Sequence, residues 1–423
     1  MKKKKVISSA VLSLTLGLSV FAGNTFAQEV DAKNVKGLEE YRVLIQGSST
    51  EKQKVKAAHG ARWDFNGEGF TTTVNEKQYN ALLKNKNLKV TQLQEVQLDT
   101  PNEVGPVKAL ATYPSAQAPW GIKAIYNDST VQRTSGGNGI NVAVLDTGVN
   151  INHIDLQGKA EQCKDFTQTS AQIVNNSCTD RNGHGTHVAG TVLAHGGSDG
   201  AGIYGVAPGA DLWAYKVLTD SGSGYSDDIA AAIRHAADEA TRTGTKTIIN
   251  MSLGSASKDT LITNAVNYAY SKGVLVVAAA GNDGYGNNTI GYPGALPNSV
   301  AVAALENVQQ NGTYRVANFS SRGNPTTAGD FVIQERDVEL SAPGAGIEST
   351  WFDGNYKTIS GTSMATPHVA GLAAKIWASS PSLSHTQLRT ELQNRAKLVD
   401  IKGGYGAATG DDHASGFGFP RVK

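Results

Sequence analysis

The sequence predicts an α/β protein with a doubly wound, mostly parallel sheet that carries helices on both faces. Short, continuously apolar runs alternate with helical segments, and apolar strands separated by helices are typical of parallel sheets. The runs are INVAVLD (140–146), ADLWAYKVL (210–218), TKTIINMSL (245–253), GVLVVAAA (273–280) and NSVAVAAL (298–305). Helical segments lie between them, for example at 226–243 and 261–273. In such sheets, functional sites gather beyond the carboxyl ends of the strands.

Residues 28–110 predict a smaller α+β unit ahead of this domain. Two strand-like runs, YRVLIQ (41–46) and LKVTQLQEVQL (88–98), flank an amphipathic helical segment at 75–85. The stretch 99–119 is rich in Pro and Ala and shows little periodicity, which predicts a linker.

Residues 1–27 have the composition of a signal peptide. Lysines 2–5 precede a short apolar stretch, and the small residues Thr25 and Ala27 fit a cleavage point. A membrane anchor is the alternative, but the apolar stretch is short and interrupted by Ser and Gly. We therefore expect a secreted, extracellular protein without a membrane anchor.

The charge balance bears on the class of partner. From residue 112 onward the chain has 22 Lys and Arg against 26 Asp and Glu. A protein that binds polyanions has the opposite balance, so we expect no nucleic-acid partner.

The chain has two cysteines, Cys163 and Cys178. In an exported chain a close pair favours one disulfide, which would close a short loop and contribute about 3 kcal/mol. Two free thiols are the alternative. Neither cysteine lies in a recognisable nucleophile context.

Several short segments carry side chains suited to catalysis. Asp146 ends the first apolar run, and HGTH (184–187) follows it in the chain. Asn282 lies just past another run, and Ser363 begins a helical segment. Each segment alone has an ordinary alternative: a turn-forming Asp, a zinc-binding pair of histidines one helical turn apart, or a helix-capping Ser. The zinc alternative is weak because no glutamate follows either histidine, as His-Glu-x-x-His requires.

Taken together, DTGV (146–149), HGTHVAGT (184–191) and GTSMATPHVAG (361–371) resemble the signatures of the subtilisin-like (subtilase) serine protease family. The resemblance covers about residues 114–400, and the chain order Asp, His, Ser is the order of subtilisin. It implies that Ser363 is the nucleophile, His184 the base and Asp146 the group that orients the imidazole. It also implies that the Ser363 N–H and the Asn282 side chain bind the oxyanion. The other motif histidines, His187 and His368, are expected to be structural.

The same resemblance implies a cleft for an extended peptide. GSG (222–224) and SLG (252–254) would pair with the peptide backbone as an added strand. AAGND (279–283) and IGY (290–292) would wall a pocket for the residue before the scissile bond, open to large apolar side chains. Asp283 stands where many relatives have glutamate, so some tolerance of basic side chains is expected. The assigned residues are Gly222, Ser223, Gly224, Ser252, Leu253, Gly254, Gly281, Asp283 and Gly291.

The segment 194–210 resembles the loop that holds a structural calcium in many subtilases. The implied ligands are the carboxylates of Asp155 and Asp199, the carbonyls of Gly197, Ala201 and Ile203, and the side chain of Gln117. Gln117 lies one place off the family spacing. Hard oxygen donors without sulfur suit Ca²⁺.

The resemblance further implies a zymogen. Residues 28–111 would be an inhibitory pro-segment, removed by cleavage near Leu110 to Tyr113, and residues 112–423 the catalytic domain. Segments 160–180 and 323–340 are insertions relative to the simplest family members.

We expect a secreted serine endopeptidase of broad specificity that acts on proteins and peptides as a monomer. The alternatives are a metal-dependent hydrolase built on His184 and His187, and a binding protein on an inactive protease fold.

Overall fold

The computed structural model describes residues 40–98 and 111–423. The expected signal peptide and most of the linker lie outside these residues. Within them, no helix is both long and apolar enough to cross a bilayer.

Residues 40–98, called the N-terminal unit below, form a three-stranded antiparallel sheet with two helices. Its sheet order is β2-β1-β3, and its core is formed by Val43, Ile45, Val55, Phe70, Val74 and Leu82. Asn75 and Gln78 form a capping box that starts its second helix. The elements are β1 (Glu40–Gly47), α1 (Ser49–His59), β2 (Phe70–Asn75), α2 (Glu76–Leu83), β3 (Leu88–Gln92) and β4 (Glu95–Gln97).

The main domain is built on a nine-stranded, mostly parallel sheet. Its strands are β5 (Ile140–Asp146), β6 (Ala160–Asp165), β7 (Val174–Asn175), β8 (Asp211–Lys216), β10 (Lys246–Met251), β11 (Leu275–Ala279), β12 (Ser299–Gln310), β13 (Thr313–Val316) and β14 (Leu340–Pro343). The order is β13-β12-β11-β10-β5-β8-β6-β7, and β14 also pairs with β12. Only β7 and β13 pair antiparallel in this sheet.

Helices cover both faces of this sheet, as predicted. Alternate residues of β5 explain this, because Val142 and Val144 pack into one apolar core while Ala143 and Leu145 pack into the other. The first core includes α3 (Trp120–Tyr126), α4 (His184–Leu193), α7 (Thr362–Ser379) and α8 (His385–Lys397). The second includes α5 (Ser226–Thr243) and α6 (Thr260–Ser271). The predicted fold class is therefore confirmed.

Three short strands of the main domain lie outside its nine-stranded sheet. β9 (Ser223–Tyr225) pairs with β4 of the N-terminal unit. β15 (Ile347–Thr350) and β16 (Tyr356–Ile359) form a hairpin.

Cys163 and Cys178 are joined by a disulfide, as predicted. The bond closes the hairpin of β6 and β7 within the insertion at 160–180. The second insertion, 323–340, is mostly irregular and leads into β14.

Candidate active site

The side chains singled out by their motifs converge at one edge of the sheet. Asp146 is the last residue of β5, and Asn282 follows the end of β11 by three residues. These strands are linked through β10 in a parallel arrangement, so their carboxyl ends lie at the same edge. His184 is the first residue of α4, and Ser363 is the second residue of α7. Two helix starts thus face two strand ends.

Asp146 and His184 form a buried pair. His184 Nδ1 lies 2.8 Å from Oδ1 and 3.0 Å from Oδ2 of Asp146. An ionised carboxylate only accepts, so Nδ1 donates and Nε2 is left as the basic nitrogen. Gly185 is required for this approach, because a Cβ there would clash with the carbonyl oxygen of Gly148.

Opposing effects set the pKa of His184. Burial disfavours the imidazolium, but the charge of Asp146, its hydrogen bond and the charge of Asp180 outweigh burial and raise the pKa. The imidazole is therefore a stronger base than a free histidine. The same two carboxylates would also stabilise the charged imidazolium.

Ser363 lies at the amino end of α7 and is almost fully buried. Its Oγ donates to the carbonyl of Ser252 at 3.1 Å, and Ser252 Oγ donates to the carbonyl of Ser363 at 2.8 Å. In the described part of the chain, Ser363 Oγ thus donates to a carbonyl rather than to His184. The contact between nucleophile and base is often long in an enzyme without substrate. The Ser363 N–H lies in the first helical turn, where N–H groups have no partner within the helix.

Thr362 fixes the orientation of the Asn282 amide. Asn282 Oδ1 accepts from the backbone N–H of Thr362 at 2.9 Å and from its hydroxyl at 3.1 Å. The amide NH₂ therefore points away from Thr362. It lies near Gly361, where an added Cβ would be 3.6 Å from Nδ2. This places a donor beside the residues that precede Ser363.

The other two motif histidines are buried and neutral at pH 7. His187 Nε2 lies 2.9 Å from the carbonyl of Ile347 and 3.1 Å from that of Lys357, and burial lowers the pKa of His187 to about 3. His368 Nδ1 contacts the carbonyl of Met364 at 2.8 Å, and burial lowers its pKa to about 4. Within residues 40–98 and 111–423, no group of three or more His, Cys, Asp or Glu is arranged to hold a metal.

A cavity of about 220 Å³ opens beside Ser363. Five of the residues assigned to the substrate cleft line it: Leu253, Gly254, Gly281, Asp283 and Gly291. Thr362 and Ser363 also line it, together with Gln97 and Leu98 of the N-terminal unit. Ser252 does not line the cavity, but its hydroxyl donates a hydrogen bond to the carbonyl of Ser363.

The N-terminal unit binds in this cleft as an extended strand. β4 pairs antiparallel with β9, in the register Val96↔Gly224 and Gln97↔Ser223. On its other side, Gln97 forms a bridge with Gly254. The N–H of Leu98 donates to the carbonyl of Gly222 at 2.8 Å. The segments 222–224 and 252–254 are thus both paired with one extended chain, as expected for a peptide ligand.

The residues assigned to calcium include a carboxylate with an unpartnered oxygen. Asp155 is fully buried, and its Oδ1 has no hydrogen-bond partner among the described residues. Its Oδ2 accepts from the N–H of Ile203 and from the hydroxyl of Tyr356, both at 2.8 Å. A Cβ built on Gly197 would lie 3.0 Å from Asp155 Oδ1 and 3.1 Å from Asp199 Oδ1. Both carboxylates therefore face the same space.

The remaining assigned ligands lie in or beside the same loop. Gln117 donates through Nε2 to the carbonyl of Gly200. The carbonyls of Gly197 and Ile203 each accept one backbone N–H and retain a second lone pair. This donor set contains only oxygen once the amide of Gln117 is turned, which suits Ca²⁺.

Sequence reasoning missed two residues that organise the site. Asp180 is buried and accepts from Thr147 Oγ1 at 3.0 Å and from the N–H groups of Gly183 and Thr186 at 2.9 and 3.0 Å. It thus caps the helix that carries His184. Asp180 lies three residues before the N-cap position, which Gly183 occupies, so the usual pattern of a capping Asp does not identify it. Thr362, the partner of Asn282, has no identifying pattern either.

Comparisons with known proteins agree on one family. The sequence model of the subtilase family matches residues 137–418. A subtilisin from Bacillus sp. (strain TA39) is 60% identical over 425 residues, which cover 99% of each chain. Subtilisin Savinase from Lederbergia lenta is 40% identical over 289 residues, covering 68% of this chain and 95% of that protein.

Solved structures give the same result. Sphericase is 75% identical and matches with a TM-score of 0.72, covering 73% of this chain and 99% of its own. S41 Psychrophilic Protease is 67% identical and matches with a TM-score of 0.72 over the same shares of the two chains.

Proposed function

Because this chain belongs to the subtilase family of serine peptidases, we propose that it hydrolyses peptide bonds through an acyl-enzyme formed on Ser363. The observation that carries the proposal is the buried Asp146–His184 pair at the strand edge where Ser363 begins a helix. A serine hydroxyl is a poor nucleophile until a base removes its proton during attack, and His184 Nε2 is the base this arrangement leaves free.

The steps follow from the groups present. Ser363 Oγ attacks the scissile carbonyl carbon while His184 takes the hydroxyl proton. Asp146 stabilises the imidazolium and keeps its Nδ1–H oriented. The imidazolium then protonates the leaving amine, and water attacks the acyl-enzyme by the reverse route to release the acid and restore the serine.

A covalent probe tests this assignment. A serine-directed fluorophosphonate should add one label per chain, and peptide mapping by mass spectrometry should place it on Ser363. Prior denaturation should abolish labelling, because the hydroxyl then loses its base. A folded chain that takes no label would favour the binding-protein alternative.

The Ser363 N–H and the Asn282 amide would stabilise the oxyanion. Ser363 lines the cavity, Asn282 lies in sequence between the lining residues Gly281 and Asp283, and Asn282 Oδ1 is held by Thr362. Donors fixed before the reaction lower the barrier because they need not reorient as charge develops.

Asn282→Ala is therefore expected to lower kcat with little change in KM. In subtilisin itself, loss of the corresponding asparagine lowers kcat about 10²–10³-fold, which sets the expected scale. Steady-state hydrolysis of a chromogenic peptide measures the effect, with the exposed Asn287→Ala as the matched control. A loss confined to KM would contradict an oxyanion role.

The cleft accounts for a broad specificity. Two backbone segments supply the pairing groups, so most of the binding energy is independent of substrate side chains. Glycines at 254, 281 and 291 line the cavity and leave room for a large apolar side chain. The exposed Asp283 at the cavity rim would tolerate a basic one.

The N-terminal unit is proposed to be the described part of an inhibitory pro-segment spanning 28–111. Its strand β4 occupies the pairing edges that a substrate would use, so substrate and pro-segment compete directly. A protease inhibited in this way does not digest the proteins of the cell that exports it. This fits the signal peptide expected at 1–27 and secretion as a monomer.

The first self-cleavage is expected between Leu98 and Ala111. Leu98 lies in the cleft, whereas the N–H and carbonyl of Ala111 pair with Tyr356 at 3.1 and 2.9 Å. Ala111 is therefore paired with the β15–β16 hairpin and not with either cleft segment, 222–224 or 252–254. Trimming nearer Leu110 to Tyr113 would follow.

A time course of intact mass checks this order. We expect an early main-domain product that is longer than the final one. A first product that already begins at Tyr113 would contradict the order.

The oxygen cluster around Asp155 Oδ1 is proposed to bind a structural Ca²⁺, held by Asp155, Asp199, Gly197, Ala201, Ile203 and Gln117. A buried, unpartnered carboxylate oxygen is costly unless a cation compensates it. The ion would supply positive charge to this loop and takes no part in the chemistry at Ser363.

Removal of calcium is expected to lower the melting temperature. An ion at a hundred times its Kd stabilises the folded state by about 2.7 kcal/mol. The measurement is thermal unfolding with and without chelator, on enzyme whose serine is covalently blocked so that self-digestion is prevented. Asp155→Asn should abolish the dependence on calcium, and Asp283→Asn should retain it. A melting temperature insensitive to chelator in both proteins would contradict the site.

A further inference from the structure

A complete guanidinium site lies where the N-terminal unit meets the disulfide-closed insertion. Arg62 Nη1 donates to the carbonyls of Gln168 and Ala171, and Nη2 donates to the carbonyl of Phe166. Nη2 and Nε also donate to Asp228 Oδ1, at 3.1 and 3.2 Å. Arginine has five N–H donors, and all five are used here.

The main domain shapes this site through the loop 166–173. Asp165 Oδ1 accepts from the N–H and hydroxyl of Thr167 at 2.8 and 2.7 Å, and Oδ2 accepts from Gln168 Nε2 at 2.9 Å. The Cys163–Cys178 disulfide closes the base of the same hairpin. The loop also returns a contact, since Gln172 Nε2 donates to the carbonyl of Arg62 at 2.6 Å.

Asp228 supplies the countercharge from the first turn of α5. It is almost fully buried, and it also accepts from Trp63 Nε1 at 2.6 Å and from Arg42 Nη2 at 2.6 Å. The Arg62 guanidinium lies 4.9 Å from the centre of the Trp63 ring. The Arg62 side chain is 10% exposed and Asp228 3%, so this ion pair is poorly screened by water.

We propose that the loop 166–173, closed by the disulfide, and Asp228 form a guanidinium-binding site whose occupancy by Arg62 keeps the cleaved pro-segment on the enzyme. This rests on the proposed function, because it concerns how long the inhibitor stays after self-cleavage. Its carbonyls come from the insertion at 160–180 and its carboxylate from α5, and none of these groups takes part in the strand pairing in the cleft. Three carbonyls and one carboxylate arranged around a planar fork select arginine over lysine, whose ammonium has three donors at one point.

The duration of latency tests the proposal. The full chain is expressed, refolded and followed for hydrolysis of a fluorogenic peptide, while intact mass reports when self-cleavage is complete. Wild type should show a lag between cleavage and full activity. Arg62→Gln should shorten that lag at least about tenfold, since hydrogen bonds to a buried charged group are lost. Arg62→Lys keeps charge and length and should still shorten it, whereas the exposed Lys89→Gln should not.

A variant without the disulfide tests the contribution of the main domain to the site. The loop acceptors are backbone carbonyls, so removal of the disulfide by Cys163→Ser with Cys178→Ser is the change that loosens them. It should shorten the lag in wild type and have no further effect in Arg62→Gln. Equal lags in wild type and both Arg62 variants would overturn the proposal. So would a further shortening of the lag when the two cysteine changes are combined with Arg62→Gln. A wild-type chain that cleaves itself without any lag would contradict the inhibitory role of the N-terminal unit itself.

A folding defect in Arg62→Gln can be distinguished from faster release of the pro-segment. If Arg62→Gln lowers the yield of cleaved chain, the Arg62→Lys lag decides, because that variant retains the ion pair with Asp228. An Arg62→Lys chain with wild-type lag and yield would show that charge alone suffices, and would refute the guanidinium site.

Discussion

Ser363→Ala is expected to abolish peptide hydrolysis and to leave the chain uncleaved. Alanine removes the oxygen proposed to form the acyl-enzyme, while the proposed oxyanion donors and the cleft remain. The scale is taken from subtilisin, where loss of the serine or the histidine alone lowers kcat about 10⁶-fold, nearly as much as loss of the whole triad. Residual hydrolysis should not depend on pH as the wild-type rate does, because His184 no longer has a proton to accept.

The measurement pairs initial rates with intact mass. Ser360→Ala is the matched control, because this serine lies three residues earlier and its hydroxyl accepts from the backbone N–H of Gly346, outside the cavity beside Ser363. Wild type and Ser360→Ala should release the main domain, and Ser363→Ala should remain a single chain. If Ser363→Ala matured normally without other proteases, the nucleophile would have to be reassigned.

The fold was predictable for elements whose apolar residues follow the period of a strand or a helix. β5 and α5 have the predicted bounds, because each is apolar on the faces that the sheet and helix periods require. The helix α1 was missed, since Val55 is its only buried residue and no apolar stripe marks it. The run 88–98 was predicted as one strand but forms two, because β3 belongs to the small sheet and β4 pairs across to β9.

The placement of the candidate site was predictable for side chains that end or follow a strand or begin a helix. Asp146, His184, Asn282 and Ser363 all stand at such places, and the sheet brings them together. The supporting contacts were not predictable, because they depend on tertiary partners. Arg62 and its loop carbonyls are more than a hundred residues apart in sequence, and backbone acceptors leave no pattern in the residue types.

Asp146→Asn is expected to lower kcat about 10⁴-fold, the loss found when the same change is made in a chymotrypsin-type triad. Asp146 Oδ1 accepts from Thr147 N–H at 2.7 Å as well as from His184 Nδ1. An asparagine oxygen kept at that position places its NH₂ where Oδ2 stands, 3.0 Å from Nδ1. A flipped amide places the NH₂ at 2.8 Å instead. The flipped orientation aims a donor at Nδ1, which favours the tautomer with the proton on Nε2, where it cannot act as a base. In the other orientation the neutral amide oxygen still accepts from Nδ1–H but lacks the charge that stabilises the imidazolium.

The pH profile separates this effect from a general loss of folding. In wild type burial lowers the pKa of His184, but the charge and hydrogen bond of Asp146 and the charge of Asp180 together outweigh burial and raise it, so activity is expected to fall as pH drops through that raised value. Without the charge, burial dominates and lowers the pKa, so the acid limb of kcat/KM should move to lower pH in Asp146→Asn. Asp220→Asn, which removes an exposed carboxylate, should change neither kcat nor the acid limb. An Asp146→Asn enzyme with near-wild-type kcat, or with an unmoved acid limb, would mean that His184 is oriented and charged by some other group.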